Sequence, residues 1–92
     1  MARILVVDDD PDLLKIAEAV LSDVGHAVVS APDAMQAIAL LKQFEFDLII
    51  SDANMPGYSG FDLVATIRKD PKLKGLAIAM LTGRRERRDI ER

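Results

Sequence analysis

The amino-acid sequence predicts an α/β domain in which a parallel sheet carries helices on both faces. Three observations predict it. Two short apolar runs, Ile4 to Val7 and Asp47 to Ile50, are β-branched or leucine-rich and do not alternate with polar residues, the pattern of strands covered on both sides. The stretches between such runs repeat apolar residues at helical spacing. Strand and helix signals then alternate along the whole chain, which calls for right-handed crossovers and parallel pairing.

The elements follow in order. Ile4 to Val7 is the first strand. Asp10 or Asp12 opens a helix with Pro11 in its first turn, apolar at Leu13, Ala17, Val20, Leu21 and Val24 and stopped at Gly25. Residues 26–31, HAVVSA, read as a second strand. Asp33 caps a second helix whose Ala34, Ala37, Ile38 and Leu41 share one face. The third strand, DLII, runs into Ser51 and Asp52. Ser59 three residues before Asp62 resembles a capping box and opens a third helix with Leu63, Val64 and Ile67, ended by Asp70-Pro71. Leu76 to Leu81 is a fourth strand, and ERRDIER reads as the start of a fourth helix.

Composition narrows the function classes. The 92 residues are enough for one small domain, half of them apolar and 29% charged, which fits a globular chain and not a disordered one. A net charge of -3 argues against broad nucleic-acid or anionic-membrane binding. The arginines at 84, 85, 87 and 88 lack interleaved aromatics and are read as a solvated helix start. Without cysteine there is neither a disulfide scaffold nor thiolate ligation. The apolar runs are far shorter than the roughly 20 residues a membrane helix needs, and Met1-Ala2-Arg3 does not begin a signal peptide. The expected location is cytoplasmic.

Open α/β sheets bind ligands beyond the carboxyl ends of their strands. Here those ends carry Asp8 and Asp9, then Asp52, then Thr82. If the first and third strands are neighbours, three carboxylates converge. Two carboxylates about 4 Å apart repel by roughly 4 kcal/mol at the effective dielectric of a protein surface, so a cation is the natural reason to retain them. An all-oxygen, anionic donor set suits a hard divalent ion such as Mg²⁺. Beside such an ion Asp52 is a candidate nucleophile toward a phosphoryl group, and the Thr82 hydroxyl a candidate partner for one of its oxygens.

ILVVDDDPD at 4–12, SDANMPGYSGFDL at 51–63 and MLTG at 80–83 together resemble the receiver domain of bacterial two-component response regulators, over the whole chain. The resemblance implies a flavodoxin-like, doubly wound sheet of order 2-1-3-4 in one domain, residues 1–92. It also implies a phosphorelay role in which Asp52 takes a phosphoryl group from a sensor histidine kinase or histidine phosphotransfer protein, with no reaction beyond gain and loss of its own phosphate. Mg²⁺ would be held by Asp9, Asp52 and the backbone carbonyl of Asn54, with Asp8 acting mostly through water. Thr82 would be the switch hydroxyl, and Met55-Pro56-Gly57 with Gly60 the turn after the acceptor, where glycine permits backbone conformations closed to other residues.

The family pattern continues into a fifth strand, a lysine at its end and a fifth helix. No residue here matches that lysine, since Lys72 and Lys74 precede the fourth strand, so the domain reads as C-terminally incomplete and Leu76 to Leu81 as an exposed sheet edge suited to self-association. His26 falls at the amino end of the second strand and is read as structural, Tyr58 as a surface residue, and Met35, Met55 and Met80 as packing. An alternative on the same topology is a Mg²⁺-dependent phosphohydrolase that forms its aspartyl phosphate on Asp8, within the D-x-D of residues 8–10.

Overall fold

The computed structural model describes residues 1–53, 60–73 and 75–81. Four strands, β1 (Arg3–Val7), β2 (Ala27–Ala31), β3 (Leu48–Asp52) and β4 (Ala77–Leu81), form one parallel sheet in the order β2-β1-β3-β4. Three helices connect them: α1 (Pro11–Asp23), α2 (Ala34–Gln43) and α3 (Gly60–Lys69), with a short 3-10 turn at Pro71–Leu73 before β4. The predicted fourth helix and the arginines at 84, 85, 87 and 88 lie outside the described residues.

Burial explains the sheet order. β1 sits between two neighbours, and its side chains alternate between two apolar layers. Leu5 and Val7 join Ala31, Ile49, Leu76, the α2 residues Ala34, Ala37 and Leu41, and the α3 residues Leu63 and Ile67. Ile4 and Val6 face the other way, onto Leu14 of α1. Helices α2 and α3 therefore cover one face and α1 the other, which is why β1 reads as an unbroken apolar run. Each fully buried Leu or Ile contributes about 1.5–3 kcal/mol relative to exposure. β3 departs from the expectation of cover on both sides. Ile49 and Ser51 are buried, but Leu48 and Ile50 are only half-buried, because α1 packs over β2 and β1.

The helix starts obey the capping chemistry. The Asp10 carboxylate accepts the Asp12 N–H at 2.9 Å with Pro11 at the first helical position, and the Asp33 carboxylate accepts the Gln36 N–H at 2.8 Å. Gly25, at φ 94°, ends α1 in the left-handed region that glycine enters without a Cβ penalty. The inward face of α1 differs from the predicted one. Leu14 is buried, with Ala17 and Leu21 beside it, whereas Val20 and Val24 are 59% and 67% exposed. Met35, expected to pack, is 68% exposed on the outer side of α2.

His26 is structural, as its position predicts. Its Nδ1 accepts the Ala2 N–H at 3.0 Å, which ties the chain start to β2 at the amino end of the sheet. Lys72 lies in the 3-10 turn before β4, at that same end, and Lys74 is outside the described residues. No helix among the described residues is long and apolar enough to cross a membrane.

Candidate functional site

Register and alternation build the site. Val7 pairs with Ser51, so one step further along both strands Asp8 comes level with Asp52. Ile4 and Val6 lie on the α1 side of the sheet, with Leu48 and Ile50 of β3 packed against them, and period-two alternation continues those rows to Asp8 and Asp52. Asp9 joins them from the β1–α1 loop. One carboxylate oxygen from each of Asp8, Asp9 and Asp52 lies within 4.8 Å of the others. Asp8 is buried, Asp52 half-buried and Asp9 exposed, so the cluster opens to solvent through Asp9.

Asp8 carries the electrostatic cost of this arrangement. Burial pushes its carboxyl above the usual range, and the charges of Asp52 and Asp9 push it the same way. The Asp10 N–H, donating to Asp8 Oδ1 at 2.9 Å, works in the opposite direction and does not reverse the shift. Asp8 is thus held, desolvated, beside two like charges. The donor chemistry fits a small, hard divalent cation: three carboxylates, no nitrogen or sulfur, and mutual distances that one ion can span.

The raised Asp8 carboxyl makes the stability of the metal-free chain depend on pH. Because the folded-state carboxyl binds its proton more tightly than the unfolded one, ionised Asp8 opposes folding, and its contribution improves as pH falls from neutral through its folded value. Asp8→Asn keeps the oxygen that accepts from Asp10 and removes the charge. In the absence of divalent metal the variant is expected to unfold at higher urea than the native chain at pH 7, and the difference should shrink as the pH is lowered. Parallel urea titrations across pH 4–8 check this, and a difference that grows on acidification refutes it.

The structure brings Asp8, Asp9 and Asp52 together as the sequence predicts. Asn54, Thr82, the Met55-Pro56-Gly57 turn, Tyr58 and Ser59 lie outside the described residues. Asp10, one of the two predicted caps, caps α1 and does not join the cluster. Gly60 has a different role from the one expected. It is the first residue of α3, and the only described residue with positive φ is Gly25. At Gly60 the need is for space: an added Cβ would collide with the Asp52 carbonyl oxygen, stand 2.9 Å from Ala53 Cα and 2.7 Å from Met80 Cε.

Sequence reasoning passed over Ser51. It is 1% exposed, and its hydroxyl donates to the Asp52 carbonyl oxygen at 3.1 Å. The signal was present in LIIS, one polar residue interrupting a buried strand immediately before the acidic strand end.

Residues 4–92 match the response regulator receiver domain family. The chain is similar to the chemotaxis protein CheY-3 of Vibrio cholerae, with 38% identity over 89 residues that make up 96% of this chain and 68% of that protein. It is similar to the DNA-binding response regulator MtrA of Mycolicibacterium smegmatis, 35% identical over 88 residues, 96% of this chain and 37% of that one. Among solved structures, the response regulator TrrA of Thermotoga maritima in complex with Mg²⁺-BeF superimposes with a TM-score of 0.83 at 35% identity, covering 98% of this chain and 77% of that one.

Proposed function

The chain belongs to the response regulator receiver domain family and is a phosphoacceptor signalling module; from that premise we propose that Asp52 is the residue that accepts the phosphoryl group, from a phosphohistidine on a sensor kinase or phosphotransfer protein. The observation that carries the reading is the convergence of Asp8, Asp9 and Asp52 at the carboxyl ends of β1 and β3. Asp52 is the half-buried member, at a strand end and therefore fixed in direction, while Asp9 is exposed and Asp8 buried. In the transfer an Asp52 carboxylate oxygen forms a bond to phosphorus as the phosphorus–nitrogen bond to the donor imidazole breaks, and the electron pair stays on that nitrogen. Asp8, Asp9 and Asp52 are the side chains for Mg²⁺, with the Asn54 carbonyl implied by the family pattern. Bound Mg²⁺ supplies positive charge that offsets the carboxylates and the incoming phosphoryl oxygens. Thr82 is proposed as the hydroxyl that reads the phosphorylated state.

The proposal limits the chemistry to gain and loss of this phosphoryl group and sets the protein in the cytoplasm. It also includes a second copy as a partner at the β4 edge, supported by the outer position of β4 in the described sheet and by Leu81, 52% exposed. Sedimentation at micromolar concentration is expected to show a dimer, and a clean monomer removes this part alone.

Incubation with acetyl phosphate and Mg²⁺, followed by borohydride trapping and peptide mass spectrometry, tests the central reading. One modified residue is expected, Asp52. Modification at Asp8 would support the phosphohydrolase alternative instead.

A further inference from the structure

We propose that Ser51 is a positioning residue for Asp52, its buried hydroxyl holding the peptide group that sets the direction of the acceptor side chain. The inference rests on the reading of Asp52 given above and adds to it a residue outside the carboxylate cluster.

Among the described residues two polar or charged side chains are buried, Asp8 and Ser51. Asp8 belongs to the cluster. Ser51 lies on the opposite face of β3, in line with Ile49 and level with Val7 on one side and Met80 on the other. Such a site favours an apolar side chain, because a hydroxyl removed from water is unfavourable unless hydrogen-bonded. The Ser51 hydroxyl has its bond, and its acceptor is the Asp52 carbonyl oxygen at 3.1 Å.

That carbonyl belongs to the peptide group joining Asp52 to Ala53. The other end of the same group, the Ala53 N–H, donates to the Leu81 carbonyl at 3.0 Å. A planar peptide held at its oxygen by Ser51 and at its N–H by β4 cannot rock about its long axis. The ψ angle of Asp52 is fixed with it. With ψ fixed, the Cα–Cβ bond of Asp52 leaves the strand in one direction, toward the side of the sheet where Asp8 and Asp9 lie. Gly60 closes the arrangement from outside: its N–H donates to the Ala53 carbonyl at 3.2 Å, and its missing Cβ leaves room for the Asp52 oxygen. Ser51 therefore acts on the site through the backbone, from the far side of the sheet.

The test compares the native chain with Ser51→Ala and Ser51→Thr. Three quantities are read: the urea unfolding midpoint, hydrogen exchange of the Ala53 and Gly60 amides by NMR without metal, and the Mg²⁺ dissociation constant from amide shift changes. Ser51→Ala is expected to unfold close to the native midpoint, since it removes a single neutral hydrogen bond and one atom of volume. Its Ala53 amide should exchange several-fold faster, and its Mg²⁺ affinity should fall about tenfold, the lower range for losing a group that orients a metal ligand. Ser51→Thr, which keeps the hydroxyl, should restore both. Native exchange together with native affinity in Ser51→Ala would reduce Ser51 to a space-filling residue and overturn the inference. If the native chain itself takes up no Mg²⁺, the metal reading fails, and the exchange comparison still decides Ser51, faster exchange supporting it and unchanged exchange overturning it. Should Ser51→Ala not fold, Ser51→Cys, similar in size but a weak donor, takes its place under the same outcomes.

Discussion

Asp52→Asn is expected to take up no phosphoryl label from acetyl phosphate and Mg²⁺ while folding at least as stably as the native chain. The two halves of this result have different causes. Asparagine keeps the shape of the side chain and can still accept hydrogen bonds, but its amide oxygen is not an anionic nucleophile and forms no acyl phosphate, so labelling is lost outright and not merely slowed. Stability moves the other way. Asp52 is one of three carboxylates within 4.8 Å, and its charge is among the causes that raise the Asp8 carboxyl, so removing that charge relieves repulsion in the metal-free chain. The measurements are mass-spectrometric labelling and urea unfolding on the same preparation. Label persisting in the variant would assign the acceptor to another residue. A large drop in stability would mean that Asp52 makes a structural contact whose loss outweighs the repulsion.

Gly60→Ala is expected to destabilise the chain by about 1–3 kcal/mol, the range for forcing volume into a packed site, although alanine is the better helix former. The added methyl meets the Asp52 carbonyl and the Ala53 Cα, which are backbone and cannot turn aside; only Met80 Cε, at the end of a flexible side chain, can yield. Relief therefore requires α3 to back away from the end of β3. Because that strand end carries Asp52, labelling should slow together with the loss of stability, whereas a core truncation such as Leu63→Ala, one turn further along the same buried face of α3, should cost about 2–5 kcal/mol with a smaller effect on the label once the folded fraction is accounted for. Urea midpoints and initial labelling rates for the two variants distinguish these outcomes. A Gly60→Ala chain with native stability and native rate would show that the contact is easily relaxed.

Much of the architecture was legible because β1 is buried on both faces, and burial of that kind writes itself as Ile-Leu-Val-Val without polar interruption. The cluster was legible for a related reason: acids directly after such strands have no core role to fill. The inward face of α1 was less readable. Leu13, Leu14, Ile16, Ala17, Val20, Leu21 and Val24 are apolar at two overlapping helical spacings, so periodicity admits two stripes. The sheet selects Leu14, Ala17 and Leu21, a choice set by the angle at which α1 crosses β1 and β2 and not by composition. Ser51 and Gly60 were missed or misassigned because their roles depend on atoms from other elements, the peptide beyond β3 and the start of α3. No local pattern reports how closely two backbones approach. Met35 is apolar yet exposed on α2, where the sheet offers it no surface.

The central place of β1 has a consequence for how the protein is made. Arg3 and Asp47, which hydrogen-bond where β1 meets β3, are 44 residues apart, while β1 meets β2 at a separation of 24, as from Ala2 to His26. During synthesis the most deeply buried strand emerges before its two neighbours, and the second of them, which completes its pairing, emerges well after the first. At about 5–20 residues per second, the 44-residue interval holds one side of β1 open for about 2–9 s. For that time the nascent chain presents Ile-Leu-Val-Val beside an unpaired backbone, with α1 and β2 the local cover available to it. A slow translation site between residues 31 and 48 would lengthen this window, and a ribosome-bound chain stopped before β3 should be recognised by chaperones that bind short aliphatic segments.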